Sequence, residues 1–335
     1  MRTNFKGIKR KFLTGIAAVV AGLLLLLVSP ATSAFAEQLR VGVPKVAHAA
    51  LIYLADSQGF FKKRGLDVIL KEYETGILAV EDLIADKVEI ATASDFAFVV
   101  QSFRHPDLRM PVTICVASDN DLVVRKDRGI RGPQDLKGKR VAVVRGGQTE
   151  FFLYSYFIFN RIPEEKVKVV HYNPLAMIEA LVGGKIDAAL CWAPHTIEME
   201  RRLGAKAARW HAQSGQDYYQ VLFAKEGFLK KQPKTMEQFL AALFEAEGFI
   251  GKYPDRAQAI LMNRLKVDRQ TLLSTWSRFR FHLQLSQDMI VLMEREAKWA
   301  IRNNLLGKKE VPNFLDFLYF DALEKVKPEG VSIVH

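Results

Sequence analysis

Residues 81–95 read EDLIADKVEIATASD, and 98 residues later the chain writes a variant of the same phrase, EALVGGKIDAALCWA, over 179–193. Glu81, Leu83, Lys87 and Ala91 recur as Glu179, Leu181, Lys185 and Ala189, while Ile84/Val182, Val88/Ile186 and Glu89/Asp187 are conservative pairs. Each copy has the spacing of an amphipathic helix end, then a short polar break, then a run of small apolar residues that reads as a buried strand. The strands finish differently, on Ser94-Asp95 in one copy and on Cys191-Trp192-Ala193 in the other.

Outward from the first copy, 39–43 (LRVGV) and 66–72 read as strands, and 49–61 (AALIYLADSQGFF) and 77–84 as helices. They complete a β-α-β-α-β unit over 41–95. The second copy completes another over 141–193, with strand VAVV, loop 145–149, helix 150–160, strand 167–172, helix 175–183 and strand 187–192. Alternating strands and helices predict parallel sheets that take ligands beyond the carboxyl ends of their strands. Two such units predict two α/β lobes facing one cleft, with loops 44–48 and 145–149 opposed across it. Polar segments near 118–121 and 213–219 predict two passages between the lobes, paired as a hinge. Residues 37–118 with 218–335 are then lobe 1 and 119–217 lobe 2.

The remainder reads as helical. Residues 236–250 turn Phe239, Leu240, Leu243, Phe244 and Ile250 inward, and Ser286 caps a helix burying Met289, Ile290, Met293, Ala297, Ala300 and Ile301. Residues 312–334 read as a helix docked on lobe 1, and none of these segments shows chemistry.

Arg2, Lys6, Lys9, Arg10 and Lys11 precede an apolar run over 16–28, and Ala34-Phe35-Ala36 has the small-x-small pattern of a signal peptidase site. Cleavage is expected after Ala36, with 1–36 a signal peptide. The apolar run is short for a membrane span, and no cysteine follows it for a lipid anchor, so a bacterial periplasm is the expected compartment. Removing 36 of 335 residues leaves 299, enough for about two domains. The five signal-peptide cations leave too, lowering the net charge from +11 to +6; the rest are scattered among acids, which argues against nucleic-acid binding. Cys115 and Cys191 sit in separate apolar runs and are expected to be unpaired core residues.

The stretches VGVPKVAHAALIYLADSQGFFKKRGLDV (41–68), LKGKRVAVVRGGQTEFFL (136–153), IEALVGGKIDAALCWAPHT (178–196) and FLKKQPKTMEQFLAALFEAEGFIGKYPDRA (228–257) resemble the substrate-binding proteins of ABC importers for sulfonates, taurine, nitrate and thiamine precursors. The resemblance implies a two-lobed periplasmic-binding-protein fold of type II, each lobe a mixed sheet flanked by helices. It implies a monomer that closes on a small-molecule solute by hinge motion and delivers it to an inner-membrane ABC permease. It leaves the solute open, because one scaffold serves many ligands.

Candidate ligand residues lie at the strand ends and helix starts. Unpaired amides at the helix start after Gly146-Gly147 favour an anionic or polar group, and Gln148 and Thr149 add side-chain donors. Family members often carry small hydroxyl residues there, so Gly147-Gln148-Thr149-Glu150 departs from the pattern. Glu150 either caps the helix or reaches the cleft, where it would disfavour a fully anionic ligand. His48 either donates to the solute or is a solvated or capping loop residue. Thr75-Gly76 and Ser94-Asp95 are candidates that also read as N-cap turns, and Asn120 is a candidate at the first passage. Trp192 reads as an aromatic wall, and Trp192→Ala is expected to weaken binding with little loss of stability. A resemblance-based polar contact at Ala193 is in doubt, because the family often has an acid there. The solute expected is small, with one hydrogen-bonding end and one face to stack.

No catalytic residue, cofactor or metal is expected. The chain has no G-x-S-x-G elbow, P-loop, H-E-x-x-H or zinc-spaced cysteine pair, and His171, Cys191 and His195 match no familiar ligand spacing. The alternatives are an enzyme on the same bilobed scaffold and a sensory receptor that signals to a membrane kinase.

Overall fold

The computed structural model describes residues 38–213, 215–307 and 310–334. The export segment and its expected cleavage site lie outside the described residues. The strands are β1 (Leu39–Pro44), β2 (Val68–Tyr73), β3 (Ile90–Ser94), β4 (Leu108–Arg109), β5 (Thr113–Ala117), β6 (Asp121–Arg125), β7 (Arg140–Val143), β8 (Lys168–His171), β9 (Ala188–Cys191), β10 (Ala207–His211), β11 (Tyr218–Lys225) and β12 (Phe279–Arg280). They form a seven-stranded sheet, β12-β5-β11-β3-β1-β2 with β4 on β11, and a five-stranded sheet, β10-β6-β9-β7-β8. This is the two-lobed periplasmic-binding-protein fold, each sheet mixed and flanked by helices.

The internal echo is a structural repeat that holds to the level of register. β1 pairs in parallel with β3 as Val41↔Ile90 and Gly42↔Ala91, and β7 pairs with β9 as Val141↔Ala188 and Ala142↔Ala189. One residue before each pairing an arginine clamps an acid: Arg40 donates its N and Nε to Glu89, and Arg140 its N and Nε to Asp187. The following helices, Gly76–Ile84 and Pro174–Val182, are capped alike, Leu78 N donating to Thr75 Oγ1 and Ala176 N to Asn173 Oδ1. Each cap satisfies one of the amides that a helix start leaves without an acceptor. β3 and β9 are buried along their whole length, which is why they read as unbroken runs of small apolar residues rather than as an alternation. Each gains an antiparallel neighbour, β11 on β3 and β6 on β9.

The chain passes between the sheets twice, at 118–120 from β5 to β6 and, among the described residues, at 212–213 and 215–217 from β10 to β11. Asn120 ties the passages together. Its N and Nδ2 both donate to Gln213 Oε1, at 2.7 and 3.1 Å, and Ala212 N donates to Asn120 O at 3.0 Å. Beside it the buried Asp121 accepts from Arg209 at 3.2 Å and from Arg278 at 2.9 Å.

Several expectations need correction. The 49–61 helix is broken at Gly59, whose φ of +69° is left-handed and splits it into Ala50–Ser57 and Phe60–Lys63. The helix of the second unit starts early, at Gln148, so Gln148 and Thr149 lie in its first turn. Phe244 is 38% exposed, because the inward stripe of Pro233–Lys252 runs through Met236, Phe239, Leu240, Leu243 and Ala246 and Phe244 falls one residue off it. Ser286 stands at the N-cap of Gln287–Arg302 but makes no side-chain cap bond. That helix also buries Glu296 completely, on a face read as apolar. The C-terminal stretch is a short helix, Asp321–Val326, between single turns, and it joins lobe 1 through Met110↔Leu318. The helix His195–Leu203 and strand β10 have no counterpart in the sequence reading.

Candidate functional site

Between the sheets lies a small, partly open cavity of about 30 Å³. The seven-stranded side contributes Pro44, Val46, His48, Thr75, Gly76, Ile77, Ala93 and Ser94; the five-stranded side Gly147, Gln148 and Trp192; the start of β11 Tyr218 and Gln220.

Three helices begin at this cavity. Thr75 and Gly76 are the N-cap and first residue of Gly76–Ile84, Ser94 is the N-cap of Asp95–Ser102, and Gly147 and Gln148 open Gln148–Phe159. Thr75 and Ser94 spend their hydroxyls accepting from Leu78 N and Ala97 N. The amides of Gly76, Ile77, Gln148 and Thr149 sit where a helix supplies no acceptor, and the positive ends of three dipoles meet. No Lys, Arg, Asp or Glu lines the cavity. Negative charge there would be met by oriented amides rather than by a cation.

Gly76 lets the helix start touch β3. A Cβ there would come within 2.5 Å of Ala93 Cβ and 2.7 Å of Ala93 Cα. Opposite stands Trp192, 6% exposed and packed with Val123, Met177 and Met199, its indole N–H buried with no acceptor. His195 packs edge-on to that ring at 6.0 Å, and burial pulls its imidazole down to about 4, so it is neutral.

His48 is neither solvated nor a helix cap. It is buried in the turn Ala47–Ala49, its Nε2 lies 2.9 Å from Asp119 Oδ1 in the first passage, and Tyr218 and Phe279 pack edge-on to its ring. It ties the wall of one lobe to the passage into the other. Asp119 Oδ2 has no partner.

The structure brings His48, Thr75, Gly76, Ser94, Gly147, Gln148 and Trp192 together around one cavity, and leaves four candidates out of its lining. Asn120 joins the passages, as above. Thr149 Oγ1 accepts from Val144 N at 2.9 Å and holds the strand-to-helix turn. Glu150 accepts from Gly146 N at 2.7 Å and pairs with His171 at 2.6 Å, so it braces that turn from outside. Asp95 points its oxygens at Phe96 N and Tyr219 N, at 2.9 and 3.2 Å, fastening the helix start to β11. Burial pushes its carboxyl up, and that of Glu296 well up, the neighbouring Asp95 adding to the effect on Glu296.

Sequence reasoning missed Tyr218 and Gln220. The signal was their place at the start of the strand that follows the second passage, since such a position must look into the cleft. Cys115 and Cys191 are free and buried, and burial raises both thiols, Cys191 to about 12. Among the described residues no three His, Cys, Asp or Glu side chains gather as a metal site, and no helix is long and apolar enough to cross a membrane.

The chain belongs to the NMT1/THI5 like family, whose profile matches residues 46–257. It is similar to the taurine-binding periplasmic protein of Escherichia coli (strain K12), at 26% identity over 62% of this chain and 65% of that one. The chain therefore spans just under two thirds of that relative. It is also similar to a putative aliphatic sulfonates-binding protein of Bacillus subtilis (strain 168), at 22% identity over 88% of this chain and 90% of that one. In fold it matches the alkanesulfonate-binding protein SsuA from Xanthomonas axonopodis pv. citri bound to MOPS, with a TM-score of 0.72 at 17% identity over 84% of this chain and 98% of that one.

Proposed function

We propose that the protein is a periplasmic receptor that captures a small organic anion, a sulfonate before others, in the cavity between its sheets and delivers it to an ABC permease. The observation that carries this reading is the buried N–H of Trp192, which has no acceptor in the wall of a cavity where three helix N-termini meet. An oxyanion supplies that acceptor and meets the free amides of Gly76, Ile77 and Gln148. The Trp192 ring offers the stacking face. The naming of two relatives for taurine and aliphatic sulfonates supports the same ligand class.

Residues 38–118 with 218–334 act as one lobe and 119–217 as the other, with the passages tied by Asn120 and Gln213 as the hinge. The lining comes from both sides of the two passages, so opening about this hinge admits the solute and closing encloses it. The lining offers one imidazole, already engaged with Asp119, and neither thiol nor carboxylate, which favours a receptor over an enzyme on the same scaffold. The test is native mass spectrometry of the protein taken from its host's periplasm. A single retained organic anion, released unmodified, supports the reading; a bound cation or a chemically altered product refutes it.

A further inference from the structure

The helix Gln148–Phe159 is apolar on more than one side. It gives Phe152 and Phe157 to the core, yet leaves Ile158 60% and Phe159 72% exposed. Exposed apolar groups that cluster beside polar ones mark binding surfaces. Between this helix and Gln287–Arg302 runs a groove of about 330 Å³, which shares no lining residue with the interlobe cavity. Its wall is aromatic: the Trp299 ring lies 5.9 Å from that of Phe151 and 5.6 Å from that of Tyr154.

The polar half of the groove is one-signed. Arg295, Lys298 and Arg302 line it, one helical turn apart, and no acid does. Among the described residues only Lys298 has an ion-pair partner, the exposed Glu294 at 3.6 Å. Two further lining groups are buried N–H donors without an acceptor, Trp299 Nε1 and Gln216 Nε2, and Trp299 is only 7% exposed. Unpaired donors, free cations and aromatic walls together describe the complement of an amphiphilic anion.

We propose that this groove is a second binding site, for an organic anion with an aromatic or alkyl body and a carboxylate or sulfonate head. Its walls come from both lobes, Phe151 and Tyr154 from the unit after β7, Arg295 to Arg302 from the helix packed on Asp95–Ser102, and Gln216 from the second passage. An occupant therefore holds the closed arrangement, and each ligand tightens the other's binding by the same factor.

The test titrates the protein, held in saturating ethanesulfonate so that the interlobe cavity is already occupied, with 2-naphthalenesulfonate by calorimetry and by Trp fluorescence, in the parent and in Arg295→Gln/Arg302→Gln, Trp299→Phe and Trp192→Phe. Arg295 and Arg302 are exposed, so the double variant keeps its fold, which a thermal melt checks. The expected result is one saturable site, weakened by salt, at least tenfold weaker in the double variant and in Trp299→Phe, and unchanged in Trp192→Phe. The uncharged 2-naphthol binds at least tenfold more weakly. No saturation by millimolar probe overturns the proposal, as does binding that survives in the double variant or is lost in Trp192→Phe, the latter placing the probe in the interlobe cavity. Self-association of the parent that Phe159→Ser abolishes also overturns it, by assigning the groove to a second copy.

Discussion

Gly76→Ala perturbs the site through one methyl group. The added Cβ would meet Ala93 Cβ at 2.5 Å and Ala93 Cα at 2.7 Å, against a contact optimum of about 3.5–4.0 Å, so the overlap is about 1 Å. Neither side yields by turning a rotamer, because Ala93 belongs to the buried strand β3 and is paired with Val221 of β11. The helix start must back away, carrying Thr75 and the free amides with it. Overpacking of this kind costs about 1–3 kcal/mol, and a clash with backbone belongs at the upper end. At about 2 °C per kcal/mol for a chain of this size, the midpoint of thermal unfolding falls by about 6 °C. Gly248→Ala is the control. Gly248 lies exposed within Pro233–Lys252 with nothing near its Cβ position, so the same substitution gains up to about 1 kcal/mol of helix propensity and raises the midpoint by about 2 °C. Calorimetric melts give both shifts, and titration shows solute affinity lost in Gly76→Ala alone. Equal midpoints for the two variants, with affinity retained in both, would refute the claim that this contact sets the cavity wall.

Four further outcomes follow from the packing. Trp192→Ala removes a buried core ring and should cost about 3–5 kcal/mol, contrary to the mild effect expected from sequence, so Trp192→Phe is the informative variant. Trp192→Phe loses one donor to a charged group, worth about 1.5–3 kcal/mol or roughly 10- to 100-fold in affinity, measured by calorimetric titration against the parent. His48→Leu leaves Asp119 Oδ1 buried without its hydrogen-bond partner and should destabilise by about 1–3 kcal/mol in urea unfolding. Glu296 titrates in the folded protein well above its unfolded value, so its contribution to stability is fully present below the unfolded carboxyl pKa and is lost progressively as pH rises above it. Glu296→Gln should therefore stabilise at pH 8 more than at pH 5, and melts showing the opposite order would contradict the buried, protonated assignment.

The repeat was legible because its signal is local. Small apolar runs mark strands buried on both faces, and the Glu89/Asp187 pair proved to be the acids clamped by Arg40 and Arg140. Roles set by distant partners were not legible. Nothing near His48 announces Asp119, 71 residues away, and nothing near Glu150 announces His171. Candidate residues were therefore found by their place at helix starts, but whether a side chain faces the cavity or braces the turn behind it depends on contacts that no spacing encodes. Glu296 was within reach. It falls seven residues after Met289 and three after Met293, on the inward face, and an acid at such a position is a buried carboxyl unless the helix twists away.

On the function proposed above, the cavity recognises negative charge through oriented amides and the Trp192 N–H and releases its ligand unaltered. Calorimetric titration with ethanesulfonate and with its uncharged counterpart ethanesulfonamide, followed by recovery of the ligand, tests it most directly. The expected result is one molecule of sulfonate per chain, recovered intact, with the sulfonamide weaker by on the order of 100-fold. Equal affinity for the two, or appearance of a cleavage product, would contradict it.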